Sequence, residues 1–224
     1  RRAAPRATPK RRRTAATKDP RARPSKTTLT RPVYLGRQIL PDRLVNKLRY
    51  STYIGVTVSS GLGNHKFRAN GMFDPDFTGT GHQPMGFDQL SALYDHWTIL
   101  NSSLKVTILD ATAGRSATLS LGMYDDTTTA NSIQALESAK AKTQVWVSGS
   151  DPKPLAAYYN AYQVFGKNIE NNPEQRGSVA SDPSEGYFYH INYNDPTLSS
   201  YTQQMFVEVE YTAMWNELKN IAAS

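Results

Sequence analysis

The sequence predicts an all-β domain that follows a basic N-terminal arm. Apolar and polar residues alternate through several segments, which is the pattern of half-buried strands. Thirteen tyrosines lead the aromatic content and are joined by many Thr, Ser, Val and Gly residues, a composition typical of sheets. Long turn-rich segments separate the alternating ones. About 190 residues follow the arm, which is enough for one domain with its own core.

The arm, residues 1–31, differs from the remainder in charge and composition. Its net charge is +11, and subtracting this from the +7 of the whole chain leaves −4 on residues 32–224. It contains no aromatic residue and one aliphatic residue larger than Ala, Leu29, so it cannot bury enough apolar surface to offset the entropy of ordering. We therefore expect a disordered polycation at residues 1–31 and a single folded domain at residues 32–224.

Guanidinium groups at this density bind polyphosphate by releasing condensed counterions, with little sequence preference. We predict that the arm binds nucleic acid through all of its basic residues, which are Arg1, Arg2, Arg6, Lys10, Arg11, Arg12, Arg13, Lys18, Arg21, Arg23, Lys26 and Arg31. The run Lys10, Arg11, Arg12, Arg13 also has the form of a nuclear import signal, with the import machinery as its partner. A solvated tail is the alternative interpretation.

The first predicted strand, residues 44–58, has one apolar face and one basic face. The basic face carries Arg43, Lys47, Arg49 and Tyr53, and we predict that these residues contact nucleic acid, with the tyrosine as a stacking surface. A solvent-facing polar side of a half-buried sheet is the alternative. A short strand at residues 65–70 places Lys66 and Arg68 on one face, and we expect this pair to extend the same basic surface.

The middle of the chain changes character. Residues 70–89 are rich in Gly, Pro and Asp and predict an ordered loop, which leads into a short helix at residues 87–94. Residues 96–109 form a strand in which the apolar parity changes, because Trp97 and Ile99 are followed by apolar residues at even numbers. A bulge or kink near residues 101–103 is needed to keep both sets inward.

The second half continues with strands and two connections. A short helix is expected within residues 132–142, and the polar residues 166–186 predict an exposed loop. The remaining strand candidates are residues 118–124, 144–148, 158–165, 187–193 and 207–215. Eight antiparallel strands with long connections favour a jelly roll of two packed sheets. An eight-stranded barrel is the competing architecture, because strand count alone does not separate the two.

No motif in the sequence indicates catalysis, a metal or a cofactor. There is no Cys, the four histidines lack the spacing of a zinc site, and Asp74-Pro-Asp76 is not followed by the other ligands of a calcium loop. Neither a P-loop nor a Gly-x-Ser-x-Gly elbow occurs. No apolar run approaches the ~20 residues of a membrane span. We therefore expect no enzyme activity, no cofactor, no metal and no membrane partner.

Four segments carry a family resemblance. They are Ala-Asn-Gly-Met-Phe-Asp-Pro-Asp at residues 69–76, Gly-Thr-Gly-His-Gln-Pro-Met-Gly-Phe-Asp-Gln at 79–89, Tyr-Asp-His-Trp at 94–97, and Ser-Leu-Lys-Val-Thr-Ile at 103–108. Together they resemble the capsid proteins of small Rep-encoding circular single-stranded DNA viruses, the circovirus-like group. The basic arm and the β-rich remainder are similar too, so the resemblance spans most of the chain.

The resemblance implies a jelly-roll coat protein. Sixty copies would form a T=1 icosahedral shell, with the arm and the basic sheet face inside, packaging a single-stranded DNA genome. Assembly would take place in the host nucleus, and the mature location would be the virion. The connections at residues 70–88, 125–143 and 166–186 are then candidates for subunit contacts and for host attachment through a receptor that the residues do not identify.

Two other classes of protein compete with this interpretation. A cellular nucleic-acid-binding barrel or sandwich with a basic tail would bind through Lys47, Arg49, Tyr53, Lys66 and Arg68 as a monomer or small oligomer. An enzyme built on a β-sandwich would require clustered carboxylates or a metal site, and no acid-rich motif of that kind is present.

Overall fold

A computed structural model describes residues 40–109, 116–128, 132–147, 149, 151, 153–166 and 169–220. The predicted disorder, nucleic-acid contacts and import signal of residues 1–31 lie outside the described residues. Within the described part, no helix is long and apolar enough to cross a membrane.

Nine strands and three short helices make up the described part of the chain. The strands are β1 (Arg43–Val58), β2 (Leu62–Arg68), β3 (Tyr94–Ile108), β4 (Ser116–Tyr124), β5 (Ala141–Val147), β6 (Leu155–Asn160), β7 (Gly177–Ser178), β8 (Phe188–Asn194) and β9 (Tyr201–Leu218). The helices are α1 (Phe87–Ser91), α2 (Ser132–Glu137) and α3 (Ala161–Phe165), and two 3-10 turns follow at Ile169–Asn171 and Pro173–Gln175.

The strands form two antiparallel sheets. The first sheet has the order β1-β9-β3-β6, with the short β7 also paired to β3, and the second has the order β2-β8-β4-β5. The chain passes from one sheet to the other at most connections, and its first and last strands lie side by side. This winding of a five-stranded layer and a four-stranded layer is a jelly roll. The predicted jelly roll is therefore confirmed, and the single closed barrel is excluded because the strands form two separate sheets.

Large aromatic side chains fill the space between the sheets. Trp97, Trp215, Tyr50 and Tyr211 are completely buried. The indole of Trp97 donates a hydrogen bond to the carbonyl of Ser178 at 2.9 Å, and the Tyr211 hydroxyl donates to a backbone carbonyl of β2 at 2.8 Å. The rings of Trp97 and Tyr211 thus bury their apolar bodies while their polar atoms find partners at the edge of the core.

The two strongest sequence patterns are reproduced in the first sheet. On β9, the predicted inward set from Val207 to Trp215 is fully buried at every second residue. On β3, the pairing register with β9 shifts between Ile99 and Asn101. This bulge turns the even-numbered residues inward, so that Leu104 is buried on the same side as Trp97. The predicted irregularity is confirmed and lies next to the expected position.

Two predicted elements are wrong in part. The strand expected at residues 158–165 ends at Asn160, whose side-chain oxygen accepts a hydrogen bond from the backbone N–H of Gln163 and begins α3. This is an N-cap interaction, and Asn is one of the residues that favour it. The helix expected at residues 87–94 stops at Ser91, because Tyr94 already belongs to β3.

The connection at residues 166–186 is not simply an exposed loop. Ile169 and Gln175 are buried, and β7 adds to the first sheet. The side-chain amide nitrogen of Asn70 donates to Gln175 Oε1 at 3.0 Å and to the Glu185 carbonyl at 2.7 Å. Polar residues of this connection therefore serve as internal hydrogen-bond partners. For this reason the connection is partly buried although its sequence has no apolar periodicity.

Candidate nucleic-acid interface

The outer face of the first sheet is the surface formed by the outward side chains of β1, β9, β3 and β6. All four β1 residues predicted to contact nucleic acid lie on it. Arg43, Lys47 and Arg49 are exposed, and Tyr53 is 72% exposed. The alternation of β1 produces this arrangement, because the side chains that alternate with these residues are buried or half-buried on the opposite face.

This face is less basic than the sequence of β1 alone suggests. β9 lies between β1 and β3 and contributes Glu208 and Glu210. Over residues 43–53, 206–212 and 101–107, the charged residues are these two glutamates and four cations, Arg43, Lys47, Arg49 and Lys105, a net charge of +2. The surface is a mixed-charge sheet with a positive balance.

Glu210 pairs with the two basic residues of β1 that flank it. Lys47 Nζ lies 2.7 Å from Glu210 Oε1, and Arg49 Nη2 lies 3.8 Å from Glu210 Oε2. The hydrogen bond from Lys47 lowers the pKa of Glu210. Arg43, at the start of β1, pairs instead with Glu170 at 3.1 Å. These pairs are exposed to solvent and each stabilises the fold by about 1 kcal/mol or less, so phosphate oxygens can compete for the same cations.

The pairing register arranges the outward side chains in rows across the sheet. One row runs from Arg49 through Glu210 and Ser103 to Tyr158, and the next runs from Ser51 through Glu208 to Lys105. Neighbouring strands are roughly 4.8 Å apart, so the first row spans about 14 Å. The row therefore has a cation, Arg49, at one end and an exposed aromatic side chain, Tyr158, at the other.

Two aromatic surfaces lie on the same face. The ring of Tyr53 packs on Phe206 of β9 with 5.0 Å between centroids. Tyr158 on β6 is 63% exposed, and Lys142 of β5 lies 5.2 Å from the centre of its ring. Sequence reasoning did not select Lys105 or Tyr158. Each alternates with buried neighbours, but only the strand order places them on the same face as β1.

Lys66 and Arg68 do not belong to this face. β2 is an edge strand of the second sheet and pairs with β8, so the expectation that this pair extends the basic surface of β1 is wrong. The local alternation of β2 was interpreted correctly, since Phe67 is buried between the two cations. The sequence did not show which strand β2 pairs with. The turn after β1 leads the chain into the other sheet, where β2 pairs with β8.

Arg68 instead organises the loop that follows β2. Its guanidinium lies 3.3 Å from Asp74 and 3.3 Å from Asp182, and it also donates to the Asp74 carbonyl at 2.6 Å. Phe77 packs beneath it, with 5.2 Å between the guanidinium carbon and the ring centre. Burial raises the pKa of Asp182, and the charge of Arg68 opposes that effect. These contacts assign Arg68 to a structural ion-pair cluster.

The loop segment that carries the family resemblance is built around two buried side chains, Asn70 and Asp76. The Asn70 oxygen accepts from the backbone N–H of Tyr187 at 2.8 Å, in addition to the two bonds that its amide donates. Asp76 accepts from His65 Nε2 at 3.0 Å and from Thr78. Burial alone would raise the pKa of Asp76, but these hydrogen bonds outweigh it and lower the pKa. The segment fixes the β2–β3 connection against the sandwich.

No metal-binding arrangement occurs in the described part of the chain, where no three His, Cys, Asp or Glu residues are grouped to hold an ion. The sequence Asp74-Pro-Asp76 resembles the start of a calcium loop, but the carboxylate of Asp74 pairs with Arg68 and that of Asp76 pairs with His65.

The second sheet carries an apolar surface, which we call the leucine groove. It has a volume of about 360 Å³, and its lining includes Leu62, Leu136 and Leu198. All three leucines are exposed, and Leu198 most strongly at 71%. Val145 on the edge strand β5 is exposed as well and lies in the same cross-strand row as Leu62. Several large apolar side chains are thus grouped on the layer opposite to the charged one.

Comparison with known proteins gives matches in structure alone. No family model and no curated protein matches the chain. A structure of turnip yellow mosaic virus is similar over 82% of this chain and 86% of its own, with 8% identity and a TM-score of 0.49. Cocksfoot mottle virus gives 80% and 97% coverage, 10% identity and a TM-score of 0.49. The decameric BFDV capsid protein is similar over 78% of this chain and 99% of its own, with 8% identity and a TM-score of 0.44. The fold assignment above depends on the strand order of this chain itself.

Proposed function

We propose that this chain is the coat protein of a small circovirus-like virus, and that it assembles with copies of itself into a closed shell around single-stranded DNA. One observation carries the proposal. A jelly-roll domain is joined to an arm of net charge +11, while the remainder of the chain has a net charge of −4. The fold supplies a subunit for assembly, and the arm supplies a polycation that would bind nucleic acid without sequence-specific contacts.

The alternatives that share the fold fit less well. Jelly rolls with two packed sheets occur in viral capsids, in lectins and in cupins. A cupin requires a ligand cavity between its sheets, and here that space is filled by buried aromatic side chains such as Trp97, Trp215 and Tyr50. A lectin has no use for a polycationic arm. Packaging of nucleic acid uses both parts of the chain.

Packaging by the arm would follow from counterion release. In a T=1 shell of sixty copies, as the resemblance implies, the arms together carry on the order of 660 positive charges. Such a reservoir neutralises phosphates without reading the base sequence, so selection of the viral genome needs another mechanism.

Ordered contacts would come from the outer face of the first sheet, which we place toward the packaged DNA. Arg43, Lys47, Arg49 and Lys105 would contact phosphates, and the Tyr53–Phe206 pair would offer a stacking surface. Arg68 has no part in this interface, because its guanidinium is engaged by two carboxylates of the folded domain.

Assembly would use the apolar surface of the second sheet. Exposed apolar groups that cluster on a soluble domain mark sites of protein contact. We assign the leucine groove to contact with a second copy of this chain, because the proposed shell places other copies against the layers that do not face DNA. The connections at residues 70–88, 125–143 and 166–186 would supply further subunit contacts and the surface for host attachment.

The location follows from the same reasoning. The run Lys10, Arg11, Arg12, Arg13 would direct the newly made protein to the host nucleus through the import machinery, where it meets the DNA genome. The virion is its final location. The host receptor is not identified by these residues.

Deletion of the arm tests the packaging mechanism. Full-length protein and a chain that begins at Pro32 are expressed in the same cells, purified and treated with nuclease, and the protected nucleic acid is measured per protein. We expect the shorter chain to fold and to protect little nucleic acid. Equal protection by the two proteins would remove the packaging role of the arm.

A further inference from the structure

A depression of about 420 Å³ lies on the outer face of the first sheet, where β6 leaves the sheet. Two irregularities of the backbone produce it. The bulge of β3 between Ile99 and Asn101 presents Asn101 on the outer face. At the neighbouring edge, β6 ends at Asn160 and the chain turns into α3. Bulges of this kind commonly re-aim side chains beside functional sites.

The lining of the depression combines one exposed aromatic ring with three amides. Tyr158 is the exposed aromatic residue, and Asn101, Asn160 and Gln163 carry the amides. The oxygen of Asn160 is used by the backbone N–H of Gln163, which leaves the Asn160 Nδ2 group as a donor. Lys47 lines the opposite side of the depression and is held there by its 2.7 Å hydrogen bond to Glu210.

We propose that this depression binds a single unpaired base of a single-stranded nucleic acid. The base stacks on Tyr158, the amides of Asn101, Asn160 and Gln163 hydrogen-bond its edge, and Lys47 contacts an adjoining phosphate. Side-chain amides suit this role because they offer a donor and an acceptor together, as base edges do. The inference rests on the proposed function and adds an ordered nucleotide site to a packaging mechanism that is otherwise electrostatic.

The surroundings favour a nucleotide over an uncharged ligand. Lys142 lies 5.2 Å from the centre of the Tyr158 ring, and Arg49 lies in the same cross-strand row as Tyr158. Cations thus lie both over one face of the ring and across the sheet, as a base with phosphates on either side requires. A duplex does not fit this chemistry, since its bases are stacked and paired, whereas a single strand presents open ring faces.

The test separates the base from the phosphates. Full-length protein is titrated at 0.5 M NaCl with a fluorescent octanucleotide and with an octamer of the same backbone that lacks the bases. The arm contacts phosphates in both, so the ratio of the two affinities reports base contacts. We expect the octanucleotide to bind at least tenfold more tightly, and Tyr158→Ala to reduce the ratio by about fivefold to tenfold.

Two variants control for effects on folding. Tyr158→Phe keeps the ring and should keep the ratio. Tyr162→Ala removes another exposed tyrosine, on α3, whose hydroxyl is bonded to Glu170, and should leave the ratio unchanged. A Tyr158→Ala ratio equal to that of the unmodified protein would overturn the proposal. The same holds if Tyr158-dependent binding is found for uncharged oligosaccharides and not for bases.

Photocrosslinking with 5-iododeoxyuridine in the octanucleotide gives a second readout that does not depend on the assembly state. We expect a crosslink at Tyr158 that disappears with the octamer lacking bases. Crosslinks confined to residues 1–31 would reject the base site while leaving arm-driven packaging intact. Absence of both DNA binding and shells would reject the proposed function itself, so the two failures are distinguishable.

Discussion

Lys47 on β1 donates a 2.7 Å hydrogen bond to Glu210 on β9, and this contact couples the first and last strands on the face proposed to meet DNA. The Glu210 carboxylate pairs with the Lys47 ammonium group, which would otherwise be available to a phosphate. Arg49 lies close to the same carboxylate. The positive balance of the face is therefore limited by β9.

Glu210→Gln removes this competition. We expect the affinity for single-stranded DNA to rise about threefold and the salt dependence of binding to steepen by about one counterion, because one more cation is available to a phosphate. Binding is measured by fluorescence anisotropy from 0.1 to 0.5 M NaCl. Glu174→Gln, on an exposed 3-10 turn, is the matched control. Equal effects of the two variants would show that only net charge matters.

Arg68→Met should act on stability. The change leaves Asp74 and the mostly buried Asp182 without their cation, and we expect the free energy of unfolding to fall by about 2–3 kcal/mol. Denaturant unfolding of unassembled subunits measures this. Adding Asp182→Asn should recover part of the loss. Arg49→Met, at an exposed site, should cost less than about 1 kcal/mol. If the order of the two arginines were reversed, the assignment of Arg68 to a structural cluster would be wrong.

The buried His190 predicts a loss of stability at mildly acidic pH. Burial lowers the pKa of His190, the nearby Lys66 acts in the same direction, and the hydrogen bond to the Asp126 carbonyl acts against them. The unfolded chain therefore takes up a proton more readily than the folded one. The contribution of His190 is complete above its ordinary pKa of 6.5 and is lost as the pH falls below that value toward the lowered pKa.

Unfolding free energies measured at pH 7, 6 and 5 test this effect. We expect a decrease of up to about 1.4 kcal/mol per pH unit below 6.5. His190→Gln should reduce this slope, because it removes the buried titrating group. An unchanged slope in His190→Gln would assign the pH dependence to other groups.

Leu198→Asn separates assembly from folding. Leu198 has a φ of 56°, a left-handed conformation that Asn tolerates better than Leu, so the stability of the subunit should be unchanged or slightly higher. The variant also removes the most exposed apolar side chain of the leucine groove, and we expect the assembled fraction to fall severalfold. Electron microscopy and size-exclusion chromatography measure this fraction. Val45→Thr, which replaces an exposed apolar residue of β1 on the other sheet, is the control. An equal loss of assembly in that variant would argue against the groove as the contact.

Local patterns were sufficient for most of the elements. The alternation along β9 and the parity change in β3 each depend on neighbouring residues, and both were predicted. The strand error at residues 158–165 was avoidable, because Asn160 followed by helix-compatible residues is an N-cap signal.

Pairing across the sheets could not be predicted in the same way. The position of β9 between β1 and β3 decides that Glu210 meets Lys47, and the position of β2 in the other sheet separates Arg68 from that face. Neither fact has a local signal in the sequence. The first depends on a contact between residues 163 positions apart, and the second depends on the direction of the turn between β1 and β2. The depression beside Tyr158 was missed for the same reason.

Sedimentation velocity of the purified full-length protein, recorded at 260 and 280 nm, shows whether the chain forms a shell that holds nucleic acid. We expect a fast boundary of megadalton mass with strong absorbance at 260 nm, as a shell filled with nucleic acid gives. A slow boundary near the chain mass of 24.9 kDa, persisting when single-stranded DNA is added at low salt, would contradict it. That result would favour a cellular nucleic-acid-binding module with a basic tail.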